Sequence, residues 1–272
     1  MAPDSGSLEA LRVTRPEGVS STVSRERDLK EDFLVKMIEG RLPLRDLVRL
    51  ILLERRLISK ARLVRRRLET EYPQILLDDL YASKYVRDPK EQLRRNYRYL
   101  PLMKKYRNRR IFEIGVGPGY FFKLIQSLIS SQISGIDRDI HGKVVFRELR
   151  KELSIFDQVF EHRVEPRQSI PIPKETEVVV AFRTTFNRPW NVEDHKWFLK
   201  DCFAQMSGDR TVILGFNRQG YLDNPEVKKF YESVGEQPFA DEETLRIVKL
   251  NELFGRMDCN YSTSECPESQ LA

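Results

Sequence analysis

A chain of 272 residues with 40% hydrophobic side chains can bury a sizeable core, and its longest apolar runs are far too short to cross a bilayer. No basic start followed by an apolar stretch opens the sequence, and its three cysteines lack zinc-site spacing, so reduced thiols in a cytoplasm are expected. The formal charge of +6 is concentrated: residues 27–70 hold thirteen Lys and Arg against seven Asp and Glu. Such a surplus suits nucleic acid, anionic lipid, an acidic substrate or a solvated helix face.

Residues 1–25 are rich in Ser, Pro, Gly and charge and read as a flexible amino-terminal segment. Helices are predicted over Asp28–Glu39 and Leu44–Glu69, with Gly40 closing the first and Pro43 starting the second. In the second, Leu47, Leu50, Ile51, Leu57, Ile58 and Ala61 recur at three- and four-residue spacing, and Pro73 stops it. Two helices cannot bury that stripe alone. The extension, residues 26–88, should therefore pack as a cap on the following domain or on a second subunit, which keeps a homodimer open. A third helix, Pro89 to Tyr106, begins a domain spanning 89–255.

From Arg110 onward strands and helices alternate, the pattern of a parallel sheet covered on both faces. Strands are predicted at 110–115, 133–137, 158–163, 177–182, 210–216, 237–240 and 245–250, and helices near 119–130, 142–154, 193–206 and 224–234. Pro166, Pro171 and Pro173 make 165–176 a loop. The last two strands, joined by a short polar turn, should form an antiparallel hairpin. Residues 256–272 read as a flexible tail.

One stretch carries the chemistry: Glu113-Ile114-Gly115-Val116-Gly117-Pro118-Gly119, at the end of the first strand. Its glycines let the backbone approach a ligand without Cβ interference, and the turn should present free backbone N–H groups and the positive end of a helix dipole. The second strand ends at Asp137, whose carboxylate can accept both hydroxyls of a ribose. In the dinucleotide fingerprint the third glycine stands three residues after the second, a place held here by Tyr120. Glu113 would repel a pyrophosphate but favour a cationic amino acid. Together Glu-x-Gly-x-Gly-x-Gly and the later Gly135-Ile136-Asp137 resemble the first two motifs of the class I S-adenosylmethionine-dependent methyltransferases. A nicotinamide or flavin site and a turn without ligand are the alternatives.

The resemblance implies S-adenosyl-L-methionine as cofactor. It also implies a Rossmann-like, seven-stranded α/β methyltransferase sheet of order 3-2-1-4-5-7-6, last strand antiparallel, carrying the N-terminal helical extension. Gly115, Gly117 and Gly119 would lie under the methionine part with Glu113 facing it, Asp137 would hold the ribose, and Val164 and Glu165 would meet the adenine. The Gly-Asp pair usual at that last position is absent. Arg163 or Arg167 could stack on the adenine instead, and His141 would border the adenosine.

The loop after the fourth strand, Arg183 to Trp190, would lie between the sulfonium and the acceptor. Arg183 or Arg188 could pair with an acidic acceptor, and Asn187 adds an amide. Phe186 and Trp190 could stack on a ring or pack under the next helix. His195 is the histidine best placed to act as a base, whereas His162 within strand three reads as structural. The Pro-Pro-Tyr tetrapeptide of many amino-group methyltransferases is missing, and no metal cluster is visible. Three readings follow: methyl transfer to a small or medium-sized acceptor, with oxygen of a saccharide or metabolite favoured; an RNA or protein methyltransferase docking through basic residues 41–67; and a non-catalytic cofactor-binding protein.

Overall fold

The longest helix, α1 (Leu44–Glu71), contains neither glycine nor proline and is entered from Pro43. The computed structural model describes residues 42–138, 143–182, 184–217, 221–240 and 243–261, so the expected helix Asp28–Glu39 lies outside the described residues. The buried stripe of α1 is Leu50, Leu57, Ala61, Val64 and Leu68. Leu47 and Ile58 are half-buried, while Ile51, one helical step of about 100° from Leu50, is exposed.

Short helices follow: α2 (Ile75–Asp78), α3 (Leu80–Arg87), α4 (Pro89–Arg94) and α5 (Leu100–Met103). Asp79 caps α3 by accepting the Ala82 N–H at 2.8 Å. The single helix expected over 89–106 is broken into α4, α5 and two 3-10 turns. Pro101 explains the break: it brings no N–H and its ring would crowd the carbonyl four residues back.

Six strands form one sheet of order β3-β2-β1-β4-β5-β6: β1 (Ile111–Ile114), β2 (Ile133–Asp137), β3 (Val159–Glu161), β4 (Val178–Phe182), β5 (Thr211–Gly215) and β6 (Leu245–Lys249). The first five pair in parallel, with Ile111 opposite Ile133 on one side and Val178 on the other. β6 runs antiparallel beside β5, Thr211 opposite Lys249. The strand expected at 237–240 reduces to one antiparallel bridge, Glu236 to Ile247, on the outer side of β6. Pro238, lacking an N–H, cannot extend that ladder.

Four more helices cover the sheet: α6 (Tyr120–Leu128), α7 (Val144–Glu152), α8 (Val192–Gln205) and α9 (Pro225–Val234). Phe112 and Ile114 of β1, Val179 of β4 and Val212 of β5 share one core with Phe198 of α8 and Tyr231 of α9. The alternate residues Ile111, Val178, Val180 and Ile213 are buried too, as strands covered on both faces require. The chain after Lys249 continues as α10 (Leu250–Tyr261), not as the tail expected from 256, because Leu250 and Phe254 join the core.

From Leu42 on the chain is one compact unit. Polar links fasten α1 to the sheet domain: Arg67 pairs with Glu148 and Glu152 of α7 at 3.3 Å each, and Asp46 with Arg107 at 2.9 Å. Glu54 accepts from Arg94 at 3.2 Å and from the Tyr97 hydroxyl at 2.5 Å. No helix among the described residues is long and apolar enough to cross a membrane.

Candidate functional site

Strand order reverses between β1 and β4, and there a cleft of about 370 Å³ opens at the carboxyl ends of the strands. Gly115, Gly117, Asp137, Val164 and Glu165 all line it, together with Thr184, Thr185, Phe186, Pro189 and Trp190 from the loop after β4. Among the described residues before β1, Tyr81 of α3 also lines it. Arg183 and His141 lie outside the described residues.

The glycine turn works differently from the expectation of unpaired amides. Gly115 and Val116 donate to the Ile136 carbonyl at 2.8 and 3.2 Å, Gly119 donates to Val116, and Gly117 donates to Asp137 Oδ2 at 2.6 Å. What the turn offers a ligand is therefore bare backbone without Cβ atoms. Positive φ at Gly115 (78°), Gly117 (56°) and Gly119 (90°) makes glycine the fitting residue at each. The space above Gly115 is already taken on one side: a Cβ there would stand 2.6 Å from Thr184 Cγ2. The turn and the β4 loop thus form one continuous floor.

Gly119 stands apart from the cleft, at the start of α6, where a Cβ would run into Ile155 Cδ1. Gly119→Ala is expected to cost about 2–4 kcal/mol of stability, from left-handed backbone strain plus overpacking. Urea unfolding measures it, and an unchanged midpoint would mean that Ile155 yields without cost.

Asp137 is anchored from below. Arg150 of α7, fully buried, donates Nη2 to Asp137 Oδ2 at 2.7 Å and Nε to the Gly117 carbonyl at 2.7 Å. One arginine thereby ties the turn after β1 to the carboxylate ending β2. Both named donors take Oδ2; Oδ1 has no hydrogen-bond partner among the described residues. Sequence reading missed Arg150, since nothing marks it within the charged run Arg147–Glu152.

Glu113 faces away from the cleft. Phe112 and Ile114 point to the aromatic core, so the alternation of β1 turns Glu113 to the opposite side, buried, with Oε2 unpartnered among the described residues. Burial first, then the nearby Asp137 charge, push its pKa well above the ordinary carboxylate value, against the opposing influence of Arg150. Its carboxyl lies beneath the turn.

The wall after β3 holds His162, Arg163, Val164 and Glu165. β3 ends at Glu161, so His162 is not a structural strand residue but borders the cleft, its backbone N–H on the Asp137 carbonyl at 2.9 Å. Its Nε2 is buried without a hydrogen-bond partner among the described residues. Arg163 pairs with Glu165 at 2.5 Å, while Arg167 reaches Asp194 at 2.8 Å and does not line the cleft.

His195 and Asn187 open instead onto a separate, much smaller cavity behind Trp190. The His195 ring is boxed by Trp190, Phe216 and Tyr231 and shares a 3.0 Å hydrogen bond between Nδ1 and the Tyr231 hydroxyl. Burial lowers its pKa to about 4, so it is neutral at physiological pH and part of the core. Trp190 packs on Phe198 and Phe186, which favours the packing role, yet one edge still borders the cleft. Asn191 and Asp194 form a capping box at the start of α8.

At the mouth, Tyr81 meets Phe146 of α7 edge-on, with the Lys143 ammonium 4.9 Å from the Tyr81 ring and 3.5 Å from Asp79. No metal-binding group of three or more His, Cys, Asp or Glu occurs among the described residues. The arrangement suits holding a hydroxylated, nucleoside-sized ligand at Asp137 beside a second molecule against the β4 loop.

No family model matches the chain, and no curated protein matches it by sequence. Solved structures similar to it include a TehB-like SAM-dependent methyltransferase from Corynebacterium glutamicum, at 12% identity over 63% of this chain and 99% of that one, TM-score 0.42. A putative methyltransferase from Pseudomonas syringae matches at 16% identity over 58% and 97%, TM-score 0.42. DesVI of Streptomyces venezuelae matches at 12% identity, TM-score 0.39, over 51% of this chain and 56% of its own, so the chain spans little more than half of it. The strand order read directly from the chain, five parallel strands in the order 3-2-1-4-5 and an antiparallel strand beside the fifth, is the Rossmann-like methyltransferase sheet.

Proposed function

We propose that the cleft binds S-adenosyl-L-methionine and that the chain transfers its methyl group to a small or medium-sized acceptor, oxygen of a saccharide or metabolite being the favoured class. The observation that carries this reading is the placement of Asp137, bonded to the Gly117 N–H, beside the Cβ-free backbone of Gly115 and Gly117 next to the strand-order reversal. Asp137 would accept the ribose hydroxyls, Gly115 and Gly117 would pass beneath the methionine part, and His162, Val164 and Glu165 would flank the adenine. Glu113 would act from below, through the turn.

When bound, this cofactor supplies an already activated methyl group. The chain's own task is to fix the acceptor in line, and Thr184, Thr185, Phe186 and Trp190 supply hydroxyls and ring faces for it. With His195 boxed by aromatic rings and opening onto the smaller cavity, positioning rather than a histidine base is the contribution of this loop.

Isothermal titration tests the cofactor. Asp137→Ala is expected to weaken S-adenosylmethionine by about 1–3 kcal/mol, the cost of stranding ribose hydroxyls without their charged partner. Wild-type preference for a nicotinamide dinucleotide, or equal affinity in the variant, would overturn the reading. A labelled-methyl assay on separated RNA, protein and small-molecule fractions then identifies the acceptor class.

A further inference from the structure

Along its outward side α1 carries Arg45, Arg49, Arg55, Arg56, Arg62 and Arg66, all exposed and none in an ion pair among the described residues. The acids of the helix lie elsewhere: Asp46 and Glu54 turn inward to Arg107 and Arg94, and Glu69 is held by Arg65. Lys60 and Arg67, the cations nearest the domain, are paired with α7. At 100° per residue Arg45, Arg55, Arg62 and Arg66 fall opposite the buried stripe and Arg49 and Arg56 on its flank, so from Leu44 to Arg66 this side is cationic without a carboxylate.

The same side is also apolar. Leu44, Val48 and Leu52 stand one helical turn apart at 77%, 48% and 60% exposure, and Leu63 follows at 46%. Large hydrophobic side chains this exposed are rare on this chain outside residues 44–81, where Phe160 is the further case among the described residues. A solvated helix face explains arginines but not a row of bare leucines.

We propose that this outward face of α1 docks on an anionic phospholipid bilayer, its arginines on headgroup phosphates and Leu44, Val48 and Leu52 entering the acyl boundary. Three partners fit a cationic or apolar face, and the combination selects one. A nucleic acid would use the arginines but gain nothing from the leucines. A second copy related by a two-fold axis would bury the leucines but oppose six arginines with six more. An anionic bilayer uses both, and a face about 34 Å long matches a helix lying in the interface plane. The inference stands independently of the cofactor reading.

Co-sedimentation of the full chain with extruded vesicles tests it. Binding is expected to vesicles of phosphatidylcholine mixed with phosphatidylglycerol, to fall as salt is added, and to be absent with phosphatidylcholine alone. Replacing Arg55, Arg56, Arg62 and Arg66 together by Gln should weaken it by on the order of a hundredfold, a few-fold per arginine. A Leu52→Trp reporter, at an exposed site outside the core, should shift its emission to the blue on anionic vesicles. No sedimentation with anionic vesicles, equal sedimentation with neutral ones, or an unshifted reporter would overturn the proposal. So would tight RNA binding without vesicle binding, or a dimer in solution that Leu52→Ser dissociates.

Discussion

Arg150→Met should destabilise the protein by about 3–5 kcal/mol, the cost of removing one partner from a buried ion pair. The arginine side chain is fully buried, and its two bonds at 2.7 Å hold the Gly117 carbonyl and Asp137 Oδ2 at once. Methionine fills a similar length with no donor. The Gly117 carbonyl then loses its partner, Asp137 keeps the Gly117 N–H alone, and Glu113 loses the cation that counters its burial. Arg150→Lys separates charge from geometry, since a single ammonium cannot span both acceptors as the guanidinium fork does. Lysine should recover part of the stability yet leave cofactor affinity depressed, because the turn is no longer held to the carboxylate. Thermal unfolding and titration together read this. An Arg150→Met protein with wild-type midpoint and affinity would show that the turn holds its shape unaided.

Glu113→Gln should raise stability, increasingly so as pH rises. The sign follows from the raised pKa of Glu113 in the folded state. Below the ordinary value of 4.5 both states are protonated and the acid costs nothing extra. Above it the unfolded chain releases the proton while the folded chain retains it. Stability therefore falls by about 1.4 kcal/mol per pH unit until the folded value is reached. Glutamine has the same shape and no proton to release, so its advantage should be larger at pH 8 than at pH 5. Urea unfolding at the two pH values measures the difference. Parallel profiles for parent and variant would mean that Glu113 is ionised in place.

The glycine turn, Asp137 and the strand order were legible because each rests on local chemistry: alternate glycines after an apolar run, an acid at a strand end, and strand-helix alternation. Val164 and Glu165 were found in the cleft from their place after β3 alone. Other features depend on where the fold brings distant residues. Arg150 meets Gly117 across thirty-three positions, and Tyr81 meets Phe146 from a different helix. No spacing rule encodes either contact. His195 misled for a related reason: its place after the β4 loop suggested the acceptor, while the aromatic rings that bury it come from Phe216 and Tyr231, far along the chain. The direction of Glu113 was readable in principle, since alternation with Phe112 and Ile114 sends it to the other side of the sheet.

The two margins of the sheet bear on how the molecule meets its own copies. An open strand edge is a template on which another chain can add its own hydrogen bonds. Here one margin, β3, is three residues long and closes with Glu161, His162 and Arg163. The other, β6, meets Glu236 at a single bridge, followed by Pro238, and carries Arg246 and Lys249 within the strand. Brevity at one end and charge with a proline at the other both discourage strand-by-strand accretion, which leaves encounters with other bodies to the helical exterior.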